Sequence, residues 1–368
     1  SGNRRSILLD LMRALVVGTL LVTAAGHGAL VNPPSRNAID REIKGYHPGH
    51  EHCNCANSSG ICNNAQACFW YSQGCSIGCP TCDTLSGRFQ KDLCGNGMKP
   101  TILEPGLRSV NRDAAALSKY DVYQHNPWRA PGSAPVQDAC GMAGGTPTDT
   151  AEWAWYDATK YAKKGDVGSK VLPEYPSATK WTAGALAEVT WQVAANHGGG
   201  YSYRLCPASE PLTESCFQKH PLKFSGKQFL VRSDGKRLQI NGTFTTQGTT
   251  PEGSMWALNP IPARCLSGDC HDGKPCRPVA EDPLCAKGDC TPCDDTPNPA
   301  FQPLCDEKSF GVCSGNEGGV AVIDIVHIPA DLAPGKYVLG WRWDCEATAQ
   351  VWANCADVTV IGGPDMVI

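Results

Sequence analysis

The sequence predicts an all-β fold, an antiparallel β-sandwich with long disulfide-stapled loops. Three observations predict it. Gly and Pro punctuation is dense, with 39 glycines and 28 prolines, and sustained helical periodicity is scarce. Short β-rich runs separated by turn signals fill the second half of the chain. The 21 cysteines are spread along the whole length rather than gathered into one knuckle.

The runs can be taken in order. Glu188-Val-Thr-Trp-Gln-Val193 and Arg237-Leu-Gln-Ile-Asn-Gly-Thr-Phe-Thr-Thr246 each predict a strand. Val320–Ile328 is apolar and β-branched enough for a central strand covered on both faces. In Lys336–Trp343, strict alternation sets Tyr337, Leu339, Trp341 and Trp343 on one face. Gln350–Val360 is the closing strand. Asp113–Lys119 and Asp157–Lys163 are predicted as short helices within loops, and His327 as a hydrogen-bonded core residue at a strand end.

Residues 1–26 do not resemble part of a folded domain. Arg4, Arg5 and Arg13 precede the apolar run Ala14–Val22, followed by small residues up to Gly26. A basic start, a short apolar core and a small-residue exit are the parts of a secretory signal. The apolar run falls short of the roughly 20 residues that span a bilayer. Cleavage after Gly26 makes His27 the first residue of a mature, secreted chain with no membrane segment.

Behind such a signal, C-x-C at Cys53–Cys55 and C-x-x-C at Cys79–Cys82 and Cys290–Cys293 predict disulfides rather than zinc or redox motifs. Cys53–Cys94 holds eight cysteines and predicts a stapled loop. Cys265–Cys313 holds another eight in a Pro-, Asp- and Gly-rich stretch, predicted as an insertion at 265–313. Asn57-Ser-Ser and Asn241-Gly-Thr are glycosylation acceptors in an exported chain. The expected organisation is a signal at 1–26, one sandwich over 27–361 and a short tail at 362–368.

Charge narrows the partners. Without the three arginines and one aspartate of residues 1–26, the 32 basic and 36 acidic residues fall to 29 and 35, a formal net charge of −6. With no basic run or basic–aromatic stripe, the sequence argues against nucleic acid.

The chemistry follows from His27 standing first. An N-terminal histidine offers its α-amine and its ring Nδ1, which together chelate one metal ion. A second histidine completes an all-nitrogen, tetragonal set that suits Cu(II). The remaining histidines are His47, His50, His52, His125, His197, His220, His271 and His327. His197 stands out by context: it leaves a strand and is followed by Gly198-Gly-Gly200, which lets another group approach the backbone closely.

These residues resemble a known family. The start His27-Gly-Ala-Leu-Val-Asn-Pro-Pro-Ser-Arg36, the block Asn126-Pro-Trp-Arg-Ala-Pro-Gly132 with Cys140-Gly-Met-Ala-Gly-Gly145, and Asn196-His197-Gly198 are similar to lytic polysaccharide monooxygenases of the chitin-binding-protein type. The resemblance runs from His27 to about Ile361 outside the two Cys-rich stretches. It implies an immunoglobulin- or fibronectin-III-like sandwich in which His27 and His197 form a copper-binding histidine brace. It also implies oxidative cleavage of a polysaccharide of chitin or cellulose type by a monomeric enzyme, with O2 or H2O2 and an external electron donor. Members carry a Tyr or Phe on the axial side of the copper, two residues after a Gln that hydrogen-bonds the oxygen co-substrate. Gln350 and Trp352 fit that spacing, with Trp in place of Tyr or Phe. A flat polysaccharide-binding face would draw on Tyr46, Trp70, Tyr71 and Trp128.

Two other classes compete. A non-catalytic carbohydrate-binding or cell-wall structural protein could keep the same sandwich. A hydrolase would need a positioned carboxylate pair, and no spacing among Asp324, Asp344, Glu346 and the rest singles one out.

Overall fold

The computed structural model describes residues 27–42, 69–73, 82–83, 91–92, 127–145, 156, 158–175, 178–195, 198–232, 237–260, 320–345 and 350–363. Its strands, in chain order, are β1 (His27–Asn32), β2 (Trp70–Gln73), β3 (Cys82–Asp83), β4 (Lys91–Asp92), β5 (Met142–Ala143), β6 (Lys180–Thr182), β7 (Leu186–Ala195), β8 (Gly200–Pro207), β9 (His220–Pro221), β10 (Lys223–Arg232), β11 (Arg237–Asn241), β12 (Phe244–Thr245), β13 (Trp256–Leu258), β14 (Val320–His327), β15 (Gly335–Asp344) and β16 (Gln350–Ile361). Two one-turn helices, α1 (Gly168–Val171) and α2 (Glu214–Phe217), lie in the connections.

The strands form an antiparallel sandwich. One sheet runs β1-β7-β14-β10-β11; the other runs β12-β13-β8-β15-β16-β2-β5, with β6 added parallel to β16 and β9 antiparallel to β8. Period-2 alternation decides what lies between them. Tyr337, Leu339, Trp341 and Trp343 all point into the main core, as the alternation predicts. There they meet Val189, Trp191 and Val193 of β7 and Val322 and Val326 of β14. Strand β14 lies between β7 and β10, and its outward Ala321 and Ile323 are also buried, which is why its sequence is apolar throughout.

Asp324 interrupts that apolar interior. Its carboxylate accepts hydrogen bonds from the hydroxyls of Tyr201 (2.9 Å) and Tyr203 (2.8 Å) and from Nε2 of Gln228 (2.9 Å). Burial pushes its pKa up to about 6, although all three hydrogen bonds favour the charged form. The same burial, together with the facing carboxylate, holds both tyrosine hydroxyls well above their ordinary pKa.

The outer face of the second sheet carries a charged cluster. Arg342 grips Asp344 through Nε (2.7 Å) and its second terminal nitrogen (3.2 Å), and reaches Glu214 at 3.3 Å. Arg204 pairs with Glu214 at 2.5 and 3.1 Å. Burial works to raise the Glu214 pKa, yet Arg204 and Arg342 hold it below the usual carboxylate value. Arg342 also donates to the carbonyl of Ala134 (2.8 Å), and Asp344 accepts the amide of Gly132 (2.7 Å), so the cluster fastens the 130–134 loop to β15. Asp324 and Asp344 are thus both committed to buried contacts. Disulfides Cys140–Cys355 and Cys206–Cys216 staple the loop after Asp138 to β16 and α2 to β8.

Three expectations change. The run 237–246 is two strands, because the chain bends at Gly242, where a Cβ would lie 2.5 Å from the Phe244 ring. Strand β11 stays in the first sheet and β12 crosses to pair with β13 in the other. Within 157–163 the described residues form a turn rather than a helix. The Thr159 hydroxyl accepts the amides of Tyr161 and Ala162, both at 3.1 Å, offering the backbone an alternative to helical bonds. His327 is exposed at the end of β14, not in the core, because alternation puts Val326 and Ile328 inside instead. Residues 113–119 and 265–313 lie outside the described residues.

Candidate metal centre at the start of the first strand

The site is built from four strand ends. Strand β1 begins at His27, which pairs with Ala195 at the end of β7; a register shift follows, and Gly28 pairs with Val193. Two residues beyond Ala195 stands His197. The side chains of His27 and His197 both lie outside the described residues. The chain is described again from Gly198, whose backbone (φ +60°) and that of Gly199 (φ +73°) occupy the left-handed region that favours glycine.

Strand β16 contributes the third part. The amide of Leu30 donates to Oδ1 of Asn354 at 2.8 Å, and Ser35 bridges to Ala356, so β1 and β16 start from the same end of the sandwich. Gln350 opens β16, is almost fully buried, and accepts the amide of Cys345 on its carbonyl at 3.1 Å. Trp352 shares its strand face and has no exposed surface. Its ring stacks on Tyr71 with centroids 4.3 Å apart and lies 6.3 Å from Trp343, its cross-strand partner.

Trp343 is the residue that sequence reasoning placed in the core without seeing its second role. Its indole N–H donates to the carbonyl of Gly198 at 2.7 Å. The same ring faces Gly28, where an added Cβ would meet its carbons at 3.0 and 3.1 Å and the Gln192 carbonyl at 3.2 Å. One signal was available. The three glycines after His197 announce a close approach; at Gly200 the ring of Trp128 and the carbonyl of Ala257 make it, while the indole of Trp343 holds the Gly198 carbonyl.

Trp70, Tyr71 and Trp128 do not form a polysaccharide-binding face. All three are buried, at 0%, 2% and 1% exposure. Trp70 packs edge-on against Tyr156, Tyr71 is held under Trp352, and Trp128 sits beside Trp256. β2 is a strand of the second sheet; Tyr71 points from it into the main core, while Trp70 and Trp128 fill two smaller buried clusters. Tyr46 and Asn57 lie outside the described residues. Asn241 is exposed on β11, the edge strand of the first sheet. Among the described residues no three His, Cys, Asp or Glu side chains gather into a metal-binding group, and no helix is long and apolar enough to cross a membrane.

No family model matches the chain. Among solved structures, it is similar to a chitin-binding domain from Burkholderia pseudomallei, with 12% identity over 92% of this chain and 100% of that one, at a TM-score of 0.34. A lytic polysaccharide monooxygenase from Streptomyces lividans shares 12% identity over 90% and 99% of the two chains (TM-score 0.26). The catalytic domain of one from Listeria monocytogenes shares 11% over 91% and 100% (TM-score 0.26). At these scores the likeness to chitin-binding and lytic polysaccharide monooxygenase structures is one of outline, and the chemistry must be read from the β1 end of the sandwich.

Proposed function

We propose that this protein is a secreted, copper-dependent polysaccharide monooxygenase. It would cleave β-linked chains of chitin or cellulose type by C–H oxidation, using O2 or H2O2 and an external electron donor. One observation carries the reading: the register that sets His27 opposite Ala195, at the strand end leading into Asn196-His197-Gly198.

The donor set fits copper. Once residues 1–26 are removed, His27 offers an amine and an imidazole, and His197 offers a second imidazole; three nitrogen donors favour Cu(II) over the other divalent ions. Copper held there supplies a one-electron redox centre for oxygen or peroxide. His27 and His197 hold the metal, and Gln350, at the start of β16, orients the co-substrate by hydrogen bonding. Trp352 forms a wall on the same strand face. An indole has no ligating lone pair, so that wall excludes water without binding metal. With three aromatics withdrawn from the surface, Tyr46 is the remaining aromatic candidate for the substrate face. In this reading the chain works as a monomer, with 27–361 as the catalytic sandwich and 265–313 as its insertion, and carries glycans at Asn57 and Asn241.

Trp352, where the resemblance implies Tyr or Phe, favours one alternative, a carbohydrate-binding protein on the same sandwich without catalysis. The test uses protein secreted with His27 as its native first residue, because any residue left before it removes the free amine. One tightly held copper with a nitrogen-rich tetragonal paramagnetic resonance spectrum, lost in His27→Ala and in His197→Ala, is the expected result. Oxidised sugars should then be released from chitin or cellulose with a reductant. A chain that binds no stoichiometric copper overturns the enzyme reading; copper binding without oxidised products leaves the binding protein.

A further inference from the structure

We propose that Trp343 is a positioning residue that sets the spacing between the two histidine-bearing segments; this rests on the copper reading above. The indole touches the residue that follows each histidine. Its N–H holds the Gly198 carbonyl at 2.7 Å, and its six-membered ring stands where a Gly28 Cβ would fall, 3.0 Å away. One rigid bicycle thus contacts β1 on one side and the 198–199 turn on the other.

The ring is itself held firmly. Trp343 has no exposed surface, and the rings of Trp191, Trp352 and Trp341 surround it at centroid distances of 5.4, 6.3 and 6.3 Å. A side chain fixed on three sides transmits its position to whatever it touches. The hydrogen bond is buried, so losing it leaves the Gly198 carbonyl without that donor in a place water does not reach. Positive φ at Gly198 and Gly199 leaves the turn dependent on its anchors, since glycine carries the largest backbone entropy; the Asn259 amide holds the Gly199 carbonyl at 2.8 Å, and Trp343 holds that of Gly198. Groups that orient metal ligands from outside the coordination shell typically change metal affinity by about 10–100-fold when removed.

Trp341 provides the control. It lies in the same core, also without exposed surface, packs on Trp191 and Trp343, and its indole nitrogen makes no hydrogen bond. Trp341→Phe therefore costs packing but leaves both contacts of Trp343 in place. Three proteins, wild type, Trp343→Phe and Trp341→Phe, are compared with native N-termini. Copper affinity and resonance spectrum are recorded well below each unfolding midpoint. Amide hydrogen exchange of the Gly198–Gly200 stretch is recorded on metal-free protein. Trp343→Phe should weaken copper binding by about tenfold, alter the spectrum and speed exchange. Trp341→Phe keeps a ring against Trp343 and both of Trp343's contacts, so it should lower the unfolding midpoint while moving each of these less than Trp343→Phe does. Gly28→Ala, which pushes a methyl into the ring while sparing the hydrogen bond, should shift the spectrum as well and serves if Trp343→Phe does not fold.

Equal copper affinity and exchange in Trp343→Phe and wild type would overturn the proposal, as would an equal loss in Trp341→Phe. If wild type binds no copper the enzyme reading falls. The metal-free exchange then still decides whether Trp343 anchors the turn.

Discussion

The backbone amide of Leu30 donates to the side chain of Asn354 at 2.8 Å, joining the first strand of the sandwich to the last across 324 positions of sequence. Asn354 has no exposed surface, and its amide nitrogen is occupied by the carbonyl of Ala353 at 2.8 Å. Its orientation therefore leaves Oδ1 to accept from β1.

Asn354→Ala should destabilise the fold by about 1–3 kcal/mol, the cost of leaving a buried N–H without its acceptor. Chemical denaturation of metal-free protein measures it. A midpoint unchanged from wild type would mean that β1 does not depend on this bond.

Asp324 makes a pH prediction. Its pKa rises from an ordinary 3.8 to about 6 on folding. The native state therefore binds the proton more tightly than the unfolded chain. This group's contribution is most favourable at low pH and is lost as pH rises through about 6. By neutral pH the penalty is about 3 kcal/mol. Asp324→Asn removes the titration. Its Oδ1 still accepts from Tyr201 and Tyr203. Its amide takes the place of the oxygen that accepts from Gln228 Nε2, so the Gln228 amide must turn over to present Oε1, giving up its bond to Tyr201. Relative to wild type, the variant should gain stability between pH 4 and pH 7. Thermal unfolding at the two pH values reads the difference, and parallel curves would refute the assignment.

Removing Arg342 leaves the buried Asp344 carboxylate its bond from the Gly132 amide but no paired cation, and weakens the hold on Glu214. Arg342→Ala should cost about 3–5 kcal/mol, as breaking one side of a buried ion pair does. With its Ala134 contact to β15 lost, the 130–134 loop should also become more protease-sensitive, which limited digestion followed by mass spectrometry would locate. A variant as resistant and as stable as wild type would show that the loop is held by other contacts.

Most of the sandwich was legible in the sequence because alternation is a local signal. Trp341 and Trp343 declare their face from the residues on either side, and β14 declares its depth by being apolar on both faces. What could not be read depends on register between distant strands. Whether Trp70, Tyr71 and Trp128 face solvent or core is decided by where β2 and the 127–129 turn dock on the second sheet. Nothing in their own neighbourhoods carries that information. The split at Gly242 depends on where the Phe244 ring turns. For the candidate site, the glycine run after His197 signalled a close approach. Trp128, which fills it at Gly200, and Trp343, which bonds the Gly198 carbonyl, both lie far from it in sequence.

The bond between Cys140 and Cys355, which closes a span of 215 residues, has a consequence for biogenesis. Strand β16 is the neighbour of β15 and β2, supplies the acceptor for Leu30, and carries the distal sulfur of this crosslink. A chain emerging N-terminus first can pair β12, β13, β8 and β15 before β16 is made, but β2 and β5 join the second sheet only through β16. Until then β1 can pair with β7 but lacks the Asn354 acceptor, and Cys140 lacks its disulfide partner. The Cys140–Cys355 bond can therefore close only after Cys355 has been made. Production hosts should be chosen for disulfide isomerisation capacity rather than for speed of synthesis.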